Sequence, residues 1–255
     1  MRIETLGGGP PLVLLHGWAM HSGIFAPLSE RLAQRFTLHL VDLPGHGINA
    51  DCTTALTLDA VAAKVSELTP PAPWLGWSLG GLVALYAAQT RPQSVRGLIM
   101  LAASPRFVRA PDWPEGMDPQ VFIGFANELA RDYQATIDRF LMLEAQGSDH
   151  VREELRLLRA QVFAICQPSA QRLCEGLALL QESDLRAGLS QLSTPSLWVA
   201  GRRDRLVSAQ AMQAAAALAP DSRFLQVEHG GHAPFLSHAD EVAQALADFM
   251  AGLPA

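Results

Sequence analysis

The chain has 255 residues, 49% of them hydrophobic and 17% charged, with a formal net charge of −6. An apolar fraction near one half buries enough surface to offset chain entropy, which excludes disorder; 20 Gly and 17 Pro without a three-residue period exclude a collagen-like chain. The acidic balance argues against nucleic acid as the main partner. Three cysteines (Cys52, Cys166 and Cys174) are too few for a disulfide framework, and no apolar run reaches the roughly 18–20 residues that cross a bilayer. The N-terminus carries no apolar signal core. The expectation is a soluble, cytoplasmic, monomeric protein with no membrane partner, built as one large domain or one domain with an insertion. Of the 19 basic residues, Lys64 alone is a lysine.

In chain order, apolar and β-rich runs alternate with helical patterns. A strand over 12–15 precedes a helix over 25–35, and a strand over 37–41 precedes a helix over 58–68. A strand over 73–77 leads into a helix over 79–90, and a strand follows over 95–101. The stretch 104–119, with four prolines, reads as a linker, and about four helical patterns follow it without a strand. Alternation then resumes with strands over 196–200 and 223–227 and helices over 209–218 and 239–250. Strands that are apolar almost throughout are those of a parallel sheet buried on both faces, so the pattern predicts an α/β fold with a doubly wound, mostly parallel sheet. The helical stretch between two of its strands is expected to be a lid over the strand C-termini, where open α/β sheets bind ligands. The expected division is a core of 1–104 and 187–255 with a lid of 105–186.

Gly76-Trp77-Ser78-Leu79-Gly80-Gly81 fits the pattern G-x-S-x-G. The pattern alone arises by chance in roughly one such chain in ten. Here an apolar strand feeds it and a helix leaves it, as a nucleophile elbow requires. A serine hydroxyl needs a base, and the base an orienting acid. His232 follows the strand over 223–227 and Asp204 the strand over 196–200, so Ser78, Asp204 and His232 all lie beyond strand C-termini, in that order along the chain. His229 and His238 compete for the base and Asp184 for the acid; His229-x-x-His232 could also suggest a metal, but no Cys or carboxylate cluster accompanies it. The oxyanion donors are expected from the backbone N–H of Leu79 and, through the loop Leu15-His16-Gly17-Trp18, of Trp18. His16 and His46 are expected to shape loops rather than to react.

His16-Gly17-Trp18, Asp42-Leu43-Pro44-Gly45-His46-Gly47, the Ser78 motif and His232-Ala233-Pro234-Phe235 together resemble the α/β-hydrolase superfamily over the whole chain. The runs 12–18, 36–45 and 74–84 and the ending 232–238 are similar, more closely, to the bacterial pimeloyl-[acyl-carrier protein] methyl ester esterases of biotin synthesis. That resemblance implies an α/β-hydrolase fold with a helical lid and a carboxylesterase that uses no cofactor or metal. It implies Ser78 as nucleophile, His232 as general base and acid, and Asp204 as orienting acid, with Trp18, Trp77 and Phe140 around the ester end of the substrate. A generic short-chain carboxylesterase or a C–C bond hydrolase of the same fold is the alternative.

The resemblance also implies an acyl-carrier protein as partner, docked by basic residues of the lid. Arg152, Arg156 and Arg159 share one helix face, and Arg139 lies beside Phe140 on the preceding helix. Arg139, Arg152 and Arg156 match the family's docking positions, whereas a further basic position of the family is Ala135 here. A solvated face neutralised by its own acids, Glu153 and Glu154 among them, is the competing reading.

Overall fold

The computed structural model describes residues 1–162, 164–165 and 167–254. Cys166 and the last residue of the run 151–163, Phe163, lie outside the described residues. The six expected strands form within a residue of their expected ends: β2 (Pro11–Leu15), β3 (Thr37–Val41), β4 (Ala72–Trp77), β5 (Val95–Leu101), β6 (Ser196–Gly201) and β7 (Ser222–Val227). They pair in parallel in the order β3-β2-β4-β5-β6-β7. All residues of β4 and β6 are buried, which is why these strands read as apolar on both alternating faces.

A seventh strand, β1 (Ile3–Gly7), pairs antiparallel with β3 at the sheet edge, from Ile3 opposite Val41 to Gly7 opposite Thr37. Its five residues are exposed or half-buried, so Ile-Glu-Thr-Leu-Gly carries no hydrophobic alternation, and it escaped the sequence reading. The first helix, α1 (Ala26–Leu32), stops three residues short of the expected 35. Its end is met by the Gly7–Gly9 turn, where Gly8 N–H donates to the Ala33 carbonyl at 3.3 Å.

The remaining core helices are α2 (Leu58–Leu68), α3 (Leu79–Thr90), α8 (Ala209–Leu218), the single turn α9 (Pro234–Ser237) and α10 (Ala239–Ala251). α1 packs on α10 and α2 on α3, while α8 lies against β6 and β7. Between β5 and β6 the chain forms four helices: α4 (Pro119–Leu129), α5 (Tyr133–Ala145), α6 (Val151–Val162) and α7 (Ala170–Glu182). α4 packs on α5 and α7, and α5 on α6; this insertion touches the core through α7 on α3 and α6 on α9. Among the described residues no helix is long and apolar enough to cross a membrane.

Candidate active site

β4 ends at Trp77 and α3 begins at Leu79, so one residue, Ser78, makes the whole turn. Its backbone sits at φ 53°, ψ −117°, a left-handed conformation that costs a non-glycine residue on the order of 1–3 kcal/mol. The surroundings hold it there: Ser78 N–H donates to the Leu101 carbonyl at 3.1 Å, and its own carbonyl accepts from Gly81 N–H at 2.9 Å. The turn is too tight for side chains at its flanks. A Cβ on Gly76 would lie 2.2 Å from the Gly80 carbonyl oxygen, and one on Gly80 would lie 2.2 Å from that of Leu15. The glycines at both ends of the motif are therefore steric necessities. The same crowding brings the loop after β2 against the serine, since a Cβ on Gly17 would lie 3.2 Å from Ser78 Cβ.

Asp204 and His232 come from the loops after β6 and β7, which interlock. Arg202 N–H donates to the Val227 carbonyl at 3.0 Å and Arg203 N–H to that of Gly230 at 3.0 Å. His232 Nδ1 lies 2.8 Å from Asp204 Oδ2, with both side chains fully buried. The other carboxylate oxygen, Oδ1, accepts from the N–H groups of Leu206 at 2.7 Å and Val207 at 3.0 Å. A carboxylate pinned in this way fixes the imidazole tautomer with its proton on Nδ1 and leaves Nε2 as the basic nitrogen. Nε2 is buried and has no hydrogen-bond partner among the described residues. Ser78 is 2% exposed, and its hydroxyl makes no hydrogen bond to the imidazole here; such bonds are often loose until substrate is bound.

The competitors for these positions are engaged elsewhere. Asp184 is paired with Arg106 at 2.7 Å and Arg186 at 2.7 Å, and these guanidinium groups hold its carboxyl well below the usual range despite partial burial. His229 faces Asp149 at 3.0 Å on the surface, and His238 stacks edge-on against His150. Among the described residues no group of three His, Cys, Asp or Glu is placed to hold a metal. His16 Nε2 accepts from Leu43 N–H at 2.9 Å, so its proton is on Nδ1 and donates to the Gly17 carbonyl at 2.7 Å. Burial lowers its imidazole to about 4 and that of His46 to about 3, so both stay neutral while they brace their loops.

The aromatic residues divide into two groups. Trp77 donates its indole N–H to the His232 carbonyl at 2.9 Å and packs against the His232 and Phe235 rings, so it holds the histidine loop. Trp18 meets Phe140 of α5 edge-to-face at 4.5 Å between centroids and donates its indole N–H to the Leu173 carbonyl of α7 at 2.8 Å. It thereby ties the loop after β2 to the insertion. Two carboxyls are buried against expectation: Glu144 on α5, which the sequence reading did not single out, and Glu154 on α6, which it counted with Glu153 on a solvated face and which instead points inward while Glu153 stays exposed. One signal was available. Glu144 continues the buried stripe of Ile137, Phe140 and Leu141, and Glu154 that of Leu158 and Val162, so each acid sits where its helix turns inward.

The basic residues of the insertion also divide. Arg139 is paired with Glu128, and Arg159 with Asp138 at 2.9 Å. Arg152 and Arg156 are exposed and have no ion pair among the described residues.

A strained serine between strand and helix, on a mostly parallel sheet whose last two loops carry a coupled Asp–His pair, is the layout of a serine hydrolase of the α/β type. The alpha/beta hydrolase fold family model matches residues 10–239, and the chain belongs to that family. It is 57% identical over 254 residues to the pimeloyl-[acyl-carrier protein] methyl ester esterase of Xanthomonas oryzae pv. oryzae (strain MAFF 311018), covering 100% of both chains. It is 59% identical to the esterase of the same name from Stenotrophomonas maltophilia (strain R551-3), covering 99% of this chain and 97% of that one. Among solved structures, an esterase from Exiguobacterium antarcticum superimposes with a TM-score of 0.86 at 21% identity, covering 98% of this chain and 95% of that chain. A bromoperoxidase from Bacillus anthracis does so with a TM-score of 0.87 at 20% identity, covering 97% and 94%. Likeness at that identity speaks for the fold alone.

Proposed function

We propose that the protein is a serine carboxylesterase that hydrolyses the methyl ester of pimeloyl-acyl-carrier protein in biotin synthesis. The observation that carries this reading is the buried Asp204–His232 pair at 2.8 Å beside the strained Ser78 turn, in a chain alike throughout its length to esterases of that name. His232 Nε2 takes the Ser78 hydroxyl proton as the oxygen attacks the ester carbonyl. The negative charge that develops on the carbonyl oxygen is met by the backbone N–H of Leu79, left without an intrahelical acceptor at the start of α3, and by that of Trp18. Methoxide leaves with the proton from His232. Water then attacks the acyl-enzyme by the same route, releasing methanol's partner, the free ω-carboxylate, on its carrier. Phe140 and Trp18 lie around the ester end of the substrate, and the insertion α4–α7 acts as the lid.

The purified protein is expected to release methanol from methyl pimeloyl-acyl-carrier protein, and its gene to restore growth of a biotin auxotroph lacking this esterase. Turnover of small soluble esters without either result would reassign it to the generic esterases of the fold.

The lid docks the acidic carrier through Arg152 and Arg156, whose guanidinium groups have no carboxylate of their own to satisfy and can grip phosphate or carboxylate bidentately. Arg139 and Arg159 contribute less, because Glu128 and Asp138 already neutralise them. Replacing Arg152 and Arg156 together by Glu is expected to lower kcat/KM for the carrier-linked substrate by about 10–100-fold, with the loss shrinking in salt, while a p-nitrophenyl ester is turned over as before. Equal loss on both substrates would count against docking at this face.

A further inference from the structure

Two carboxyl groups beside the imidazole take no part in the chemistry above. Glu144, near the end of α5, is fully buried, and neither of its carboxyl oxygens has a hydrogen-bond partner among the described residues. Its peptide carbonyl accepts from the N–H of His232 at 3.4 Å, so the residue and the histidine are backbone neighbours. Glu154 of α6 is 1% exposed and accepts from the Ser148 hydroxyl at 2.6 Å, with the Ser237 hydroxyl also bearing on it. The charged groups bearing on Glu144 are Asp204, from the loop after β6, and Glu154, from α6. Glu154 is in turn within reach of His150 and His232. The arginine on α5, Arg139, is turned to solvent against Glu128 and offers Glu144 no counter-charge. Three carboxyls thus cluster in the interior, with Asp204 hydrogen-bonded to the imidazole and Glu144 tied to His232 through its backbone.

Resting on Ser78, His232 and Asp204 acting as proposed, we infer that Glu144 is a positioning residue that supports His232 only while it carries its proton. As the neutral acid it leaves Asp204 the one anion hydrogen-bonded to the imidazole. As an anion it would repel Asp204 and pull the end of α5 away from the His232 N–H it accepts. The histidine loop is then no longer held in place, so activity falls as the proton is lost. Burial first, and then the charges of Asp204 and Glu154, push the Glu144 carboxyl well above the usual carboxylate range, so the neutral form is the resting one. Since the folded protein holds this proton more tightly than the unfolded chain does, the contribution of Glu144 to stability is whole below about pH 4.3 and falls away as the pH rises toward its raised folded value. A residue that is neutral at every pH removes that cost.

The test is the pH profile of Glu144→Gln with a p-nitrophenyl ester, which needs no carrier protein. The native enzyme is expected to show an alkaline fall in activity. The variant loses the alkaline fall, stays within about threefold of native kcat at neutral pH, and melts no lower than native. An alkaline fall that persists unchanged in Glu144→Gln overturns the inference. Infrared spectroscopy of the native protein supplies a readout independent of turnover and of the variant's folding. A protonated-carboxyl band should bleach over the pH range of the alkaline fall, and its absence at neutral pH would refute the neutral Glu144. A protein inactive on every ester yet showing that band would instead fault the serine mechanism.

Discussion

Ser78→Ala is expected to abolish ester hydrolysis while leaving the protein folded. The loss in kcat should reach about 10⁶-fold, the scale seen when a triad nucleophile is removed, or about 8 kcal/mol of barrier. The stability should barely change for three reasons. Among the described residues the hydroxyl donates to no acceptor, alanine tolerates φ 53° no worse than serine does, and the hydrogen bonds that hold the turn, to Leu101 and from Gly81, are made by the backbone. Release of p-nitrophenol and of methanol from the carrier-linked ester, with a thermal melt beside them, checks both halves. Activity within tenfold of native would remove Ser78 from the chemistry.

Asp204→Asn should lower kcat by about 10⁴-fold through a tautomer rather than through lost shape. The N–H groups of Leu206 and Val207 both point at Asp204 Oδ1 and will hold the one amide oxygen that asparagine has. The amide NH₂ must then occupy the place of Oδ2, facing His232 Nδ1 at the present 2.8 Å. A donor there forces Nδ1 to accept and moves the imidazole proton to Nε2, the nitrogen that must take the serine proton. The base is then disabled with its position intact. The checks are kcat at neutral pH and the imidazole ¹⁵N shifts, which should report the proton's move. A loss below about tenfold would mean that another group orients the histidine.

The sequence carried the chemistry better than the architecture that supports it. Ser78, Asp204 and His232 stand in short motifs after apolar strands, and a parallel sheet has to deliver the ends of such strands to one edge, so their meeting could be argued residue by residue. β1 left no trace because an edge strand half in water does not need alternation. The resemblance implies Trp77 around the ester end of the substrate; in the structure its indole N–H is spent on the His232 carbonyl, a bond that spans 155 positions of chain and that no local pattern announces. Arg139, Arg152, Arg156 and Arg159 looked like one class along the sequence and fall into two once Glu128 and Asp138, from other turns and helices, are placed beside them. Glu144 was legible in principle as a charge on a buried stripe, and Glu154, counted on a solvated face, sits at the i−4 position to the buried Leu158; a stripe shows only that an acid is inside, not which groups it meets there.

Trp18 joins two parts of the molecule through one residue. Its peptide belongs to the loop pressed against Ser78, while its indole is hydrogen-bonded to Leu173 and stacked on Phe140, both in the insertion. Any rearrangement of α5 or α7 would pull on these indole contacts. A movement of the insertion would therefore be felt at the turn that carries Ser78 through the ring of a residue whose backbone lies in the neighbouring loop.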